Sequence, residues 1–235
     1  MKRLIINIIL LLLTINTYSQ IFFDGGLKGM FGTTWLINEN IFKDPDYNHQ
    51  ISPGYFVGGK LGLNFNESVE VVSEVLYSTF KQSFTIDDYG DKVIKINSID
   101  IPLMIRHNKS SGSYFEIGPQ LSLLQKVDET GFNQDNDAST YFDDKYLSGV
   151  ISFGGYMIGW DNFGISVGFR LVFSMVDIVS GGVADPETYK DKVASYDSYK
   201  PTYPLSAGLV IEFNYDLGYL AKTPCGGRRK FLIFK

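Results

Sequence analysis

The chain has 235 residues, which is enough for one large β-domain or two small ones. Its 24 glycines and its 15% of aromatic residues are typical of a β-protein, and a mean hydropathy of -0.01 excludes a helical membrane bundle. The net charge of -5 leaves no basic surface for nucleic acid, and the single cysteine, Cys225, excludes an internal disulfide and a thiolate metal cluster.

The first residues have the layout of a secretory signal peptide. Lys2 and Arg3 form a basic start, an apolar run extends from Leu4 to Ile15, and a polar stretch follows up to Gln20. The apolar run is too short for a transmembrane helix. We therefore predict a signal peptide at residues 1–19, a barrel domain at residues 20–216 and a basic periplasmic tail at residues 217–235. Without Lys2 and Arg3 the formal charge changes from -5 to about -7.

Eight segments alternate apolar and polar residues with a period of two, the period of a β-strand with two different faces. In chain order they run over about Ile21 to Trp35, Tyr55 to Phe65, Val69 to Ser83, Val93 to Arg106, Phe115 to Leu123, Tyr146 to Ile158, Ile165 to Phe173 and Tyr203 to Tyr215. The last segment shows the pattern best, with Leu209 and Ile211 on one face and Gly208 and Glu212 on the other. Its apolar face is about ten residues long, which suits a tilted strand that crosses a bilayer.

The connections between these segments alternate between long and short. Long polar loops are predicted at Asn38 to Ser52, around Asp87, Asp88 and Asp91, at Val127 to Lys145 and at Ile178 to Lys200, whereas the turns near residues 66–68, 108–112 and 160–163 are short. Outer-membrane barrels have short periplasmic turns and long external loops. Eight strands then place both chain termini in the periplasm.

Aromatic residues mark both ends of the predicted strands, as expected of girdles at the two membrane interfaces. At the short-turn end we expect Phe23, Phe65, Phe115, Phe213 and Tyr215, and at the other end Trp35, Tyr55, Tyr77, Phe173 and Tyr203.

The polar faces carry charges at mid-strand, and these charges argue against a soluble β-barrel or sandwich, whose apolar face would point inward. We predict a lumen charge network made of Lys28, Lys60, Glu70, Glu74, Asp100, Arg106, Glu116, Arg170 and Glu212. Buried charges are strongly unfavourable unless they are paired, so a structural plug of salt bridges is expected. A gated narrow conduit and a proton-linked function are the alternatives.

Several short segments at matching spacing resemble the PorT-like eight-stranded outer-membrane barrels of Bacteroidetes. They are Gly25-Gly26-Leu27-Lys28-Gly29, Gly54-Tyr55-Phe56-Val57-Gly58-Gly59, Glu74-Val75-Leu76-Tyr77-Ser78, Ile99-Asp100-Ile101-Pro102-Leu103-Met104 and Gly118-Pro119-Gln120-Leu121. The resemblance covers nearly the whole mature chain to about Tyr215, and it implies an outer-membrane barrel and a place beside secretion machinery. The tail after Asp216 departs from the pattern, because such barrels normally end at an aromatic residue of the last strand.

No constellation for catalysis, a metal or a cofactor is found. His49 lies in the first predicted external loop and His107 near a short turn, so we interpret both as solvated loop residues that cannot share a metal. The acidic loops are either simply solvated or bridged by Ca²⁺ or Mg²⁺ to lipopolysaccharide. The tail around Cys225 is either disordered or a contact for a periplasmic partner.

The sequence thus predicts an all-β protein, an eight-stranded antiparallel up-and-down transmembrane β-barrel with a filled polar lumen. We expect a monomer in the bacterial outer membrane, surrounded by lipid and lipopolysaccharide. A non-enzymatic structural or interaction role in the envelope is predicted, with other envelope or secretion proteins as partners; the alternative is a small passive porin-like channel.

Overall fold

The computed structural model describes residues 21–86, 90–131, 134–160, 162–179 and 199–219. The predicted signal peptide and all but the first three residues of the predicted tail lie outside these ranges. Eight long strands, numbered here in chain order, dominate the fold. They are β1 (Phe22–Asn38), β2 (Ser52–Asn64), β3 (Val69–Ile86), β4 (Gly90–Asn108), β5 (Ser113–Gly131), β6 (Lys145–Gly159), β7 (Phe163–Ser174) and β8 (Thr202–Asp216).

These strands close into a ring in which each strand pairs antiparallel with the next strand of the chain. The ring closes because β1 pairs with β2 on one side and with β8 on the other. Lys28 of β1, for example, lies opposite Gly58 of β2 and opposite Glu212 of β8. The predicted eight-stranded antiparallel up-and-down barrel is therefore confirmed. Closure leaves no unpaired edge within the ring, which is the condition for a sheet to cross a membrane.

The side chains alternate between a buried interior and an exposed exterior along every barrel strand. In β8, Leu209 and Ile211 are 64% and 48% exposed, whereas Val210 and Glu212 are 1% and 0% exposed. The same order holds in β1, where Leu27 and Phe31 are exposed and Lys28 and Met30 are buried. Apolar side chains thus cover the outside and most charged side chains of the strands lie inside. This is the reverse of the arrangement in a water-soluble barrel.

The two ends of the barrel differ. At one end, termed the short-turn end, tight turns join β2 to β3, β4 to β5 and β6 to β7. Asn66 stabilises the first turn by accepting hydrogen bonds from the backbone N–H groups of Ser68 and Val69, and Gly112 provides a positive φ of 90° in the second. β1 begins and β8 ends at this same end, where a short 3-10 helix (Leu217–Tyr219) follows β8.

At the opposite end three strands extend far beyond their neighbours and form what is termed here the projection. It consists of residues 79–86 of β3, 90–97 of β4 and 125–131 of β5, flanked by two short strands, Tyr47–Gln50 beside β3 and Gln134–Asp137 beside β5. The predicted loop around Asp87, Asp88 and Asp91 is therefore wrong in extent, because the connection spans only residues 87–89 and Asp91 lies within β4. The predicted loop from Val127 to Lys145 is likewise partly strand.

A hydrophobic core, termed here the projection core, covers the inner face of the projection. The inner side chains of β3, β4 and β5 meet the short helix α1 (Glu39–Lys43) and the segments before β6 and after β7. Asn38 caps α1 by accepting hydrogen bonds from the N–H groups of Asn40 and Ile41. The buried members of this core are Leu36, Ile41, Tyr47, Phe80, Phe84, Ile86, Ile94, Ile96, Val127, Ala138, Phe142, Tyr146, Ile178 and Val179. In the projection, then, the interior is apolar.

No helix in the described part of the chain is long and apolar enough to span a membrane.

The tight curvature of the ring generates a first prediction at adjacent glycines of β2. A Cβ atom at Gly58, which faces the interior, would lie 2.0 Å from the carbonyl oxygen of Val75 on β3. At Gly59, which faces outward, the nearest atom would be 3.9 Å away. We expect Gly58→Ala to destabilise the barrel by about 1–3 kcal/mol, because the strands must separate. Gly59→Ala is the control and should leave urea unfolding, followed by tryptophan fluorescence, nearly unchanged; equal effects would contradict the account.

Candidate functional site

The structure places all nine predicted lumen charges inside the ring, where each is at most 7% exposed. The described lumen also contains a tenth charged group, Asp24 of β1, which is fully buried. Asp24 lies on the same face of β1 as Lys28, so the period-two pattern already predicts that its side chain faces the lumen. Every barrel strand contributes at least one of these residues except β6. The set comprises Asp24, Lys28, Lys60, Glu70, Glu74, Asp100, Arg106, Glu116, Arg170 and Glu212.

Lys28 occupies the centre of this cluster. Its ammonium Nζ lies 2.6 Å from Oε1 of Glu74, 3.2 Å from Oε1 of Glu116 and 3.2 Å from Oε2 of Glu212. These three carboxylates come from β3, β5 and β8, so one side chain connects strands from across the ring. The Lys28 side chain has no exposed surface, and all three N–H donors have acceptors nearby.

Two arginines complete the central layer. Arg170 forms a bidentate pair with Glu74, with N–O distances of 2.7 and 3.0 Å, and a further 3.0 Å contact with Glu116. Arg106 donates to Glu116 and Glu212, and its guanidinium lies 4.4 Å from the centre of the Tyr114 ring. Bidentate pairs of this kind fix both partners in orientation as well as distance.

Lys60 forms a second layer nearer the short-turn end. Its Nζ is 2.8 Å from Glu70, 2.9 Å from Glu212 and 3.4 Å from Asp24. Glu212 is thus shared by Lys28, Lys60 and Arg106 and joins the two layers. Asp100 is separate: it accepts hydrogen bonds from the hydroxyls of Ser78 and Ser98, at 2.5 and 2.9 Å, and has no salt bridge within the described ranges.

Large charged and apolar side chains pack the described interior of the ring. An eight-stranded ring is only wide enough for its own side chains. The largest side chains that are fully buried here are those of Arg106 and Arg170. An apolar layer of Met30, Phe56, Leu76 and Val210 covers the charges on the side of the projection. No group of three or more metal-ligating His, Cys, Asp or Glu side chains occurs among the described residues.

The ten predicted girdle residues lie on the outer wall or at its ends. Seven have at least 36% exposed surface, namely Phe23, Tyr55, Phe65, Tyr77, Phe115, Tyr203 and Phe213, and the partly exposed ones are Trp35, Phe173 and Tyr215. Two aromatic residues at the short-turn end, Trp160 and Phe163, were not among the predicted girdle residues. Trp160 stacks on Phe163 at 5.6 Å, and Phe163 stacks on Phe213 at 6.2 Å, so an aromatic cluster spans this rim.

His49 is not the solvated loop residue that the sequence suggested. It lies in the short strand Tyr47–Gln50, with its ring 4.7 Å from the ring of Phe42 and 5.0 Å from that of Phe84. Phe84 belongs to the projection core, so His49 packs against that core. Burial lowers its pKa, because the apolar surroundings disfavour the imidazolium. His107, in contrast, is exposed near the short-turn end.

The closed ring, the apolar outer surface and the ionic interior together define a transmembrane β-barrel. No protein-family model matches the sequence, and no curated protein matches it either.

Several solved structures are similar in outline, and three of them are described here. Neisserial surface protein A (NspA) has 11% identity and a TM-score of 0.43, over 83% of this chain and 98% of that one. Ail, the attachment invasion locus protein of Yersinia pestis, solved with the heparin analogue sucrose octasulfate, has 12% identity and a TM-score of 0.41, over 83% and 99%. The outer membrane protein OprG from Pseudomonas aeruginosa has 11% identity and a TM-score of 0.40, over 84% and 95%. At these values the likenesses carry no argument about function, and the class rests on strand pairing and side-chain placement.

The ion pairs generate a prediction for the pair Glu74 and Arg170. Glu74→Gln and Arg170→Met should each destabilise the barrel by about 3–5 kcal/mol, because each removes one member of the network and leaves the remaining buried charges unbalanced. The double variant should lose less than the sum of the two, by about 0.5–3 kcal/mol, since both charges are then removed. Urea unfolding in lipid vesicles measures all three. The exposed pair Glu39 and Lys43 is the matched control, and its neutralisation should change nothing measurable; strictly additive losses at Glu74 and Arg170 would contradict the network.

The packing of His49 generates a pH prediction. Because the folded state lowers the pKa of His49, the unfolded segment binds the proton more readily. The free energy of unfolding of the packed segment is therefore highest above about pH 6.5, the usual pKa of histidine, and it decreases as the pH falls below that value. After division by the intrinsic exchange rate at each pH, the amide protection factors of residues 40–50 should be lower at pH 5 than at pH 7.5. His49→Phe should abolish this difference, and a variant with the same pH dependence as the wild type would contradict the assignment.

Proposed function

We propose that this protein is a non-conducting, non-enzymatic barrel of the bacterial outer membrane with a structural or interaction role in the cell envelope. The observation that carries the proposal is the fully buried cluster of interlocking ion pairs in the lumen. Moving an ion along the axis would require breaking several of these pairs in a space that excludes water, which is strongly unfavourable. The described lumen is therefore better suited to rigidity than to transport.

The location is supported by the outer surface. A wall of exposed leucine, isoleucine, valine and phenylalanine side chains encircles the described strands, and such an apolar surface is stable only against lipid or a partner. Rings lie towards both margins of this wall, where aromatic side chains favour the headgroup regions. In the proposed orientation the short-turn end and both termini lie in the periplasm, and the projection lies outside the cell.

An interaction role is supported by the form of the projection. A long hairpin with its own hydrophobic core presents a defined surface well above the membrane, and a barrel that served only as a wall element would not need one. The sequence resemblance to PorT-like barrels favours a partner among secretion or other envelope proteins. The acidic loops and the basic tail are the candidate contact segments on the two sides.

The alternative is a small passive channel, and conductance separates the two functions. We expect the mature protein in a planar bilayer to show no regular current steps at neutral pH, because the paired charges block the lumen. A porin in the same lipid is the positive control. Regular steps in the wild type that change size in Glu212→Gln would contradict the proposal, since they would show that ions pass this carboxylate.

The proposed orientation is tested by labelling intact cells. A single cysteine is introduced at Asn48, beside the projection, or at Glu67, in a short turn, with Cys225→Ser as the background. An impermeant maleimide should label Asn48→Cys on intact cells and Glu67→Cys only after the outer membrane is permeabilised. The opposite pattern would reverse the orientation.

A further inference from the structure

The outer face of the projection changes in chemistry step by step as it leaves the apolar wall. Along β3 the outward positions are Val75, Tyr77, Thr79 and Lys81, and the positions opposite them on β4 include Ile99, Asn97 and Lys95. Thr79 and Asn97 are buried, and the hydroxyl of Thr79 donates a hydrogen bond to the amide oxygen of Asn97. The exposed surface thus passes from aliphatic to aromatic and then to ammonium groups. This is the order in which a bilayer passes from acyl chains to charged headgroups.

Lys81 and Lys95 lie directly opposite each other in the β3–β4 pairing. Side chains at such positions have Cβ atoms about 5 Å apart, and like charges there destabilise a sheet. Neither ammonium group has a carboxylate within 4.0 Å in the ranges that the structure describes, and both side chains are partly exposed. A stable sheet that keeps two lysines in this arrangement gains if an anion binds between them.

The neighbouring strand does not neutralise the pair. Asp128 of β5 lies opposite Lys95, but its carboxylate is 2.6 Å from the ammonium group of Lys126. Lys92, although close in sequence, faces the inner side and pairs with Glu129 at 2.7 Å. Asp137 of the short strand beyond β5 lies opposite Asp128. This part of the outer face therefore has three lysines, Lys81, Lys95 and Lys126, and two aspartates, Asp128 and Asp137, which leaves an excess of one positive charge.

The height of the pair identifies the class of anion. Tyr77 belongs to the predicted girdle at the end opposite the short turns, and Lys81 is four residues further along β3. At about 3.4 Å per residue and a tilt of about 40°, Lys81 lies about 10 Å above the ring of Tyr77 along the barrel axis. Lysine stems reach several ångströms back towards the interface. The ammonium groups are thus at the level of lipid headgroup phosphates.

We propose that Lys81 and Lys95 together bind a phosphate group of a lipopolysaccharide molecule in the outer leaflet. Its acyl chains would lie against the aliphatic wall of β3 and β4 below. Choosing lipopolysaccharide over a phospholipid depends on the proposed orientation, because only the outer leaflet carries that glycolipid. In contrast with bridging of acidic loops by divalent cations, this contact is direct and needs no metal ion.

The test uses the mature barrel in non-ionic detergent with purified lipopolysaccharide as the probe. Binding is measured by native mass spectrometry and by titration of the thermal unfolding midpoint. Lys81→Gln/Lys95→Gln should weaken binding by about tenfold or more, the ratio equivalent to about 1.4 kcal/mol. Lys109→Gln, which removes one positive charge from an exposed turn at the other end, should bind like the wild type. Without lipid, Lys95→Gln should raise the unfolding midpoint slightly, because the repulsion with Lys81 is gone.

The probe has its own controls. The same lipopolysaccharide after enzymatic removal of its phosphates should bind the wild type no better than it binds the double variant, and EDTA should leave the wild-type affinity unchanged. Equal affinity of the double variant and the wild type would overturn the proposal, as would complete loss of binding in EDTA. Equal binding of phosphatidylglycerol would refute lipopolysaccharide as the preferred source of the phosphate. Because these measurements are made in micelles, they test the lysines independently of the conductance and orientation experiments.

Discussion

Ten buried charged side chains in the described part of a narrow ring of strands impose the constraint that shapes this protein. An ion transferred from water to such an interior loses several kilocalories per mole of hydration energy unless oppositely charged groups surround it. The ring meets the constraint by drawing partners from strands far apart in the sequence: Lys28 and Glu116 are separated by 88 positions and Arg106 and Glu212 by 106. The pairs form only when the ring is closed with the correct register. A one-residue slip would send a strand's charges to the outer wall.

The interior of the ring at membrane depth is largely ionic, whereas the interior of the projection is largely apolar. At membrane depth the outside solvent is apolar, so leucines and phenylalanines cover the exterior and charges pair within. In the projection the solvent is water, and the inner face becomes apolar, with Phe84, Ile94 and Ile96 buried. The transition falls between Thr79 and Gln82 on β3, where Thr34 bonds to the backbone of Lys81 and Gln82 accepts a hydrogen bond from the N–H of Leu36. The hydrogen-bonded ladder of the strands continues across this boundary without interruption on the β4 side.

The sequence predicted the strands and the direction of their side chains because a period of two is a local property. Leu209 and Val210 are both apolar, and only their neighbours show that one faces outward and the other inward. Which charges meet could not be predicted, because pairing depends on the stagger between strands, and irregularities such as the one between Asn97 and Ser98 shift it. Residues 84–86 of β3 and 90–92 of β4 were assigned to a loop because of the aspartates Asp87, Asp88 and Asp91; yet Phe84 and Ile86 keep the alternation that marks a strand. His49 was misjudged because its neighbours, Phe42 and Phe84, come from separate segments.

In this barrel the aliphatic wall faces lipid, and the ionic interior is shielded from both lipid and water. Spin labels at Leu209 and Val210, introduced singly as cysteines in a Cys225→Ser background, test it most directly in reconstituted bilayers. A label at Leu209 should collide freely with oxygen, which dissolves in lipid, and hardly at all with a water-soluble nickel chelate, whereas a label at Val210 should collide little with either. Strong collision of the Leu209 label with the nickel chelate would contradict the account, because that wall would then face water.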